Sequence, residues 1–158
     1  MPLLRALKTE QFRFSITSLL DKSYSLSSVT LSPETGWLYY IIPDDNVNSW
    51  KWQFFPSLEL LEKWMKEDTE YFLLRQLVWT GRDWFAYFEK RIGLDQPARS
   101  WSWAKSVQEL VQIIVKQLSE GMEVKVVSYG DGQWLFYFEK STTVRKISKS
   151  RISTIFNS

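Results

Sequence analysis

Two stretches of the chain repeat one another so closely that a fold has to accommodate both in the same way. Residues 49–52 read SWKW and residues 100–103 read SWSW, 51 positions apart, while YFEK stands at 87–90 and again at 137–140, 50 positions apart. Self-similarity at a fixed spacing of this length marks a supersecondary unit used more than once. Between the anchors the order of features is shared. Pro56-Ser57 opens LELLEKWMKED, which sets Leu58, Leu61 and Met65 on one helical stripe with Leu60 and Trp64 beside it. In the later copy Ser106 followed by Glu109 predicts a capping box ahead of VQELVQIIVKQL, with Val107, Leu110, Ile114 and Leu118 as its buried stripe and Gly121 as its left-handed stop.

Both helices lead into a pair of strands, YFLLRQLVW with WFAYFEK and MEVKVVSY with QWLFYFEK. The dipeptide Asp131-Gly132 is the preferred type I′ turn, and Gly81-Arg82 has the glycine-first order of type II′. Two-residue loops place Trp79 opposite Trp84 and Tyr129 opposite Trp134, where close cross-strand aromatic pairs add to stability. A weaker copy precedes these: FSITSLLDK as helix, then YSLSSVTLS and WLYYII around PETG, with Trp37 in the place of Trp84 and Trp134. There Ser32 replaces the partner aromatic, Glu34-Thr35 is poor chemistry for a two-residue loop, and no SWxW precedes the helix.

The chain therefore reads as one α+β domain over residues 1–158, with repeats at about 9–42, 49–90 and 100–140 and a basic tail at 141–158. The expected architecture is a mainly antiparallel sheet of about six strands from three hairpins, with two or three helices on one face. PDDNVNS at 43–49 and RIGLDQPARS at 91–100 read as the linking loops. The repeated pattern, carried by EGMEVKVVSYGDGQWLFYFEK and EDTEYFLLRQLVWTGRDWFAYFEK, resembles the tandem repeats of unknown function appended to some eukaryotic protein kinases. The resemblance implies a repeat and brings no catalytic residue with it.

Composition narrows the chemistry. There is no cysteine and no histidine. That removes disulfides, thiol nucleophiles, the commonest general base and the commonest transition-metal ligand, so an enzyme would have to work with Asp, Glu, Lys, Tyr or Ser alone. No phosphate-binding loop, nucleophile elbow or glycosidase acid pair is present in the sequence. We expect no enzyme, no cofactor and no metal. The apolar residues of the N-terminal MPLLRALKTEQFRF are too few and too interrupted for a signal peptide, and no run approaches a membrane span, so a cytoplasmic chain without membrane insertion is expected. Residues 140–158 hold five basic residues and no acid, which leaves 15 basic against 18 acidic residues, a net of −3, in residues 1–139. Such a body lacks the footprint of a duplex nucleic-acid binder, although the tail could touch an anionic surface.

Aromatic residues make up 16% of the chain, including 9 tryptophans, and supply the candidate sites. Trp84, Ala86 and Phe88 alternate with Phe85 and Tyr87, and Trp134, Phe136 and Phe138 with Leu135 and Tyr137, so these strands are apolar on both faces. One face meets the helices; the other is a second buried layer, a subunit interface or an aromatic platform. Trp50 with Trp52 and Trp101 with Trp103 are i, i+2 pairs that point to one side of an extended segment, either capping the core or stacking on bases or sugars. Arg75 and Lys125, with Glu89 and Glu139 on the neighbouring strands, read as a solvated charge pattern, and Asp44-Asp45 as turn acceptors. The binding residues expected are Trp50, Trp52, Trp101, Trp103, Tyr87 and Tyr137. The leading function is a non-catalytic protein-interaction or self-association module; the alternative is a domain that stacks single-stranded nucleic acid or carbohydrate on exposed tryptophans.

Overall fold

The computed structural model describes residues 3–44, 49–91, 93 and 96–140. The basic tail and Asp45 lie outside them. The elements run β1 (Leu3–Ala6), α1 (Thr9–Leu20), β2 (Tyr24–Ser32), β3 (Gly36–Pro43), β4 (Trp50–Phe55), α2 (Leu58–Glu67), β5 (Phe72–Trp79), β6 (Trp84–Lys90), β7 (Arg99–Ala104), α3 (Val107–Ser119), β8 (Met122–Gly130) and β9 (Gln133–Lys140). The α+β class stands, but the expected single sheet does not. Three antiparallel sheets of three strands form instead, ordered β1-β3-β2, β4-β6-β5 and β7-β9-β8. The additional strands come from segments outside the three hairpins. LLRA is β1, and the tryptophan pairs of the two SWxW segments lie in β4 and β7, each strand hydrogen-bonded along the free edge of the hairpin that follows its helix. Helix α1 also starts earlier than FSITSLLDK, at Thr9.

Local chemistry explains most boundaries. Ser57 accepts from the Leu60 N–H and Ser106 from the Glu109 N–H, each satisfying one of the orphan amides of a first helical turn. The Glu109 carboxylate accepts from the Lys105 N–H. Before each second strand one residue takes the left-handed conformation: Gly121 as read, but Ser23 (φ 68) and Tyr71 (φ 58) in the other two places. Asp131 (φ 51) and Gly132 (φ 76) both have positive φ, as a type I′ turn demands. The register then sets Trp79 against Trp84 and Tyr129 against Trp134, with ring centroids 5.1 and 4.8 Å apart. A bulge interrupts each hairpin at Ser27, Arg75 and Lys125. The first turn is longer, with Pro33–Thr35 between Ser32 and Gly36 and a hydrogen bond between the Ser32 and Thr35 hydroxyls.

The chain divides into two compact bodies, Met1–Arg91 and Ile92–Ser158. In the first, the ring of Phe12 on α1 stacks on Trp37 at 3.9 Å and meets Tyr39 edge-on at 5.1 Å. The indole N–H of Trp37 donates to the Thr9 hydroxyl and the Tyr39 hydroxyl to Ser15, so the polar ends of these large rings are satisfied inside the core. Leu58, Leu61 and Met65 of α2 are buried, as their spacing predicts. In the second body Ala104, Met122, Phe136 and Phe138 form the core, with Leu110, Ile113 and Ile114 of α3 partly buried against it. No residue of α3 is fully buried, and Val107, expected inside, is exposed. The apolar arc of α3 is wide, and its flank at Val107, Val111 and Val115 stays exposed while Leu110, Ile113 and Ile114 are partly buried.

Candidate functional site

The register of β4 and β6 decides the fate of the first tryptophan pair. Trp52 stands opposite Tyr87 and Phe54 opposite Phe85, so Trp50, Trp52, Phe54, Phe85 and Tyr87 share the face of their sheet turned away from α2. That face packs on the core of the first three strands. Phe85 meets Phe12 edge-on at 5.1 Å and Trp37 at 6.5 Å, and Trp50, Trp52 and Phe54 are half-buried around them. Arg13 of α1 forms an ion pair with Asp83 and lays its guanidinium 3.8 Å over the Phe54 ring. Gln76 donates to the Ser27 carbonyl across the same boundary.

Tyr87 is therefore no exposed platform, which corrects its reading as a surface residue. Its ring stacks on Trp50 at 5.1 Å, and its oxygen accepts from the Leu26 N–H at 3.1 Å. The Trp50 indole in turn donates to the Asp44 carboxylate at 2.8 Å, so Asp44 is a local acceptor. Burial pushes the Tyr87 phenol well above its ordinary value of 10.0, helped by the charges of Asp44 and Glu89 and opposed by the Leu26 hydrogen bond. The neutral phenol is thus favoured by folding: its contribution is complete below about pH 10 and is lost as pH rises from there through the folded value. Urea midpoints compared at pH 8 and pH 11 should show a smaller alkaline loss in Tyr87→Phe than in the parent, although the variant is weaker at pH 8 by about 1 kcal/mol because the Leu26 N–H loses its acceptor. An unchanged pH dependence excludes Tyr87 as the titrating group.

In the second body Tyr137 is also buried, again against the reading of an exposed ring. Trp101 and Trp103 are half-buried on the same face of their sheet, with the Arg99 guanidinium 6.0 Å from the Trp101 ring. The charge pattern departs from expectation at two positions. Arg75 pairs with Glu89 at 2.8 Å as aligned, but Glu139 is buried rather than solvated, and Lys125 pairs with Glu123.

The apolar surface left outside lies elsewhere. On the α3 side of the second body Val107, Val111 and Val115 form an i, i+4, i+8 row on the helix. Val127 and Tyr129, 47% and 56% exposed, stand on the neighbouring β8, Tyr129 beside the half-buried Trp134. The sequence held one signal for this: α3 carries valine at 111 where α1, aligned from its N-cap, carries Arg13. Among the described residues no tryptophan is exposed, and no helix is long and apolar enough to cross a membrane. Comparison with protein-family models, with curated proteins and with solved structures finds no match.

Proposed function

We propose that the chain is a non-catalytic module for protein interaction or self-association, built from three tandem copies of a β-α-β-β unit akin to the repeats appended to some protein kinases and working in the cytoplasm. The shared strand order, the bulge at one place in each hairpin and the recurrent aromatic pair support the repeat. The observation that carries the function is the exposure of Val107 and Val111 on α3 together with Val127 and Tyr129 on the neighbouring β8, since apolar surface on a sheet and an adjoining helix is what protein partners bury. The interacting rings are then Tyr129 and Trp134 rather than the SWxW pairs. Stacking of bases or sugars has less support, because every tryptophan among the described residues is buried or half-buried.

The test is a photo-crosslinking amino acid placed at Tyr129, with Glu120 on the same body as control. Crosslinks to protein from position 129, absent from position 120 and lost when Val111→Glu and Val127→Glu are added, are the expected result. Nuclease-sensitive crosslinks, or salt-dependent quenching of tryptophan emission by oligothymidine, would transfer the reading to nucleic acid.

A further inference from the structure

We infer that the α3 side of the second body binds the outer face of the β1-β3-β2 sheet of a second copy of the chain, so that copies join head to tail. The inference rests on the interaction reading above and names its partner. The first body shows how such a surface is covered. There α1 and β3 receive the outer face of the next sheet: Phe85 enters against Phe12 and Trp37, while Arg13 lies over Phe54. Aligned from the helix N-caps Lys8 and Ser106, the position of Arg13 is that of Val111. Aligned from the bulges, Val29 corresponds to Val127, and both stand opposite the residue two beyond the first tryptophan of the next strand. Val29 is 6% exposed and Val127 47%. Trp37 is fully covered, whereas its counterpart Trp134 is not.

Val111 and Val127 thus stand at the positions of Arg13, which lies over Phe54 of the next sheet, and of Val29, which is buried in the same core as Phe85 and Tyr87. The outer face of the first sheet offers apolar surface for them, beside the exposed Arg5. On the face of the β1-β3-β2 sheet away from α1, Leu3 pairs with Tyr40, and both are exposed. Tyr40 occupies in β3 the position that Tyr87 holds in β6, counted from Trp37 and Trp84. Each copy thus has one receiving and one inserting surface, at different places. Contacts of that kind are heterologous and extend beyond a pair unless the ring closes.

The mass of the full chain, followed by sedimentation against concentration, is expected to rise past that of a dimer. The receiving variant Val111→Glu/Val127→Glu and the inserting variant Leu3→Glu/Tyr40→Glu should each associate at least about tenfold more weakly, because each buries unpaired carboxylates in the contact. Mixed together, they should form a one-to-one dimer that does not grow, since one intact surface of each type remains. That mixture separates loss of contact from loss of fold, as misfolded variants cannot rescue each other. A parent chain monomeric at every concentration overturns the proposal, as does a receiving variant that dissociates while the inserting variant behaves like the parent, which marks a symmetric pair. If Ile155→Asp/Phe156→Asp turns a monomeric parent into an associating chain, the chain's own tail is the occupant and the proposal fails. Protein crosslinks from position 129 that persist in a monomeric chain would leave the interaction reading standing while sinking this one.

Discussion

Phe85→Ala should lower the unfolding free energy by about 3–5 kcal/mol, the range for removing a fully buried aromatic ring. Its side chain is inaccessible to solvent and lies among Phe12, Trp37 and Phe54, with centroids 5.1, 6.5 and 5.2 Å away. Those neighbours are rigid rings on a helix and two strands, so the site cannot collapse into the space, and the cavity adds its own cost to the lost transfer energy. Tyr40→Ala makes the comparison, since Tyr40 sits on the outer face of its own sheet and is exposed. Its change should stay within about 0.5 kcal/mol of the parent in the isolated monomer. Urea unfolding measures both. A loss below about 1 kcal/mol for Phe85→Ala, against the usual cost of core truncations, would mean that the second sheet does not dock on the first helix.

Gly36→Ala should be nearly as severe, at about 2–4 kcal/mol, because left-handed strain and steric overlap act together. Gly36 opens β3 with φ 70, and a Cβ there would lie 2.7 Å from the Ala6 carbonyl oxygen and 3.1 Å from Leu7 Cα. Both neighbours are backbone, held by the pairing of Ala6 with Trp37, so neither can swing aside as a long side chain would. Gly132→Ala isolates the strain alone. It has φ 76 with nothing within 4 Å of the added carbon, and should cost about 1 kcal/mol. Equal losses at the two glycines, by thermal or chemical unfolding, would show that β1 does not lie against the start of β3.

The hairpins were legible because their information is local. Asp131-Gly132 specifies its turn within four residues, and the turn fixes the pairing of Tyr129 with Trp134. The caps at Ser57 and Ser106 are legible for the same reason. Ser23 and Tyr71 were not, since nothing in a serine or tyrosine announces a left-handed backbone; the surrounding helix and strand impose it. Strands β1, β4 and β7 escaped in another way. Each pairs across the length of a helix and a further strand, as Phe55 does with Trp84, so no short-range pattern marks the partner.

For the candidate site, the sequence determined that β6 and β9 are apolar on both faces and that more than the helices must cover them. Which surface covers which was decided only by the tertiary structure. Tyr87 became core, with Trp50 and Trp52 half-buried against it, because Phe12, Trp37 and Arg13 offered β6 a face of matching shape and charge in the same body. Val111, Val127 and Tyr129 stayed outside although their residue types are as apolar. Periodicity records which side chains avoid water, through the repeat of the backbone that carries them. It carries no record of what stands opposite, since burial depends on contacts between segments far apart in the chain, and there the folded structure alone sets the outcome.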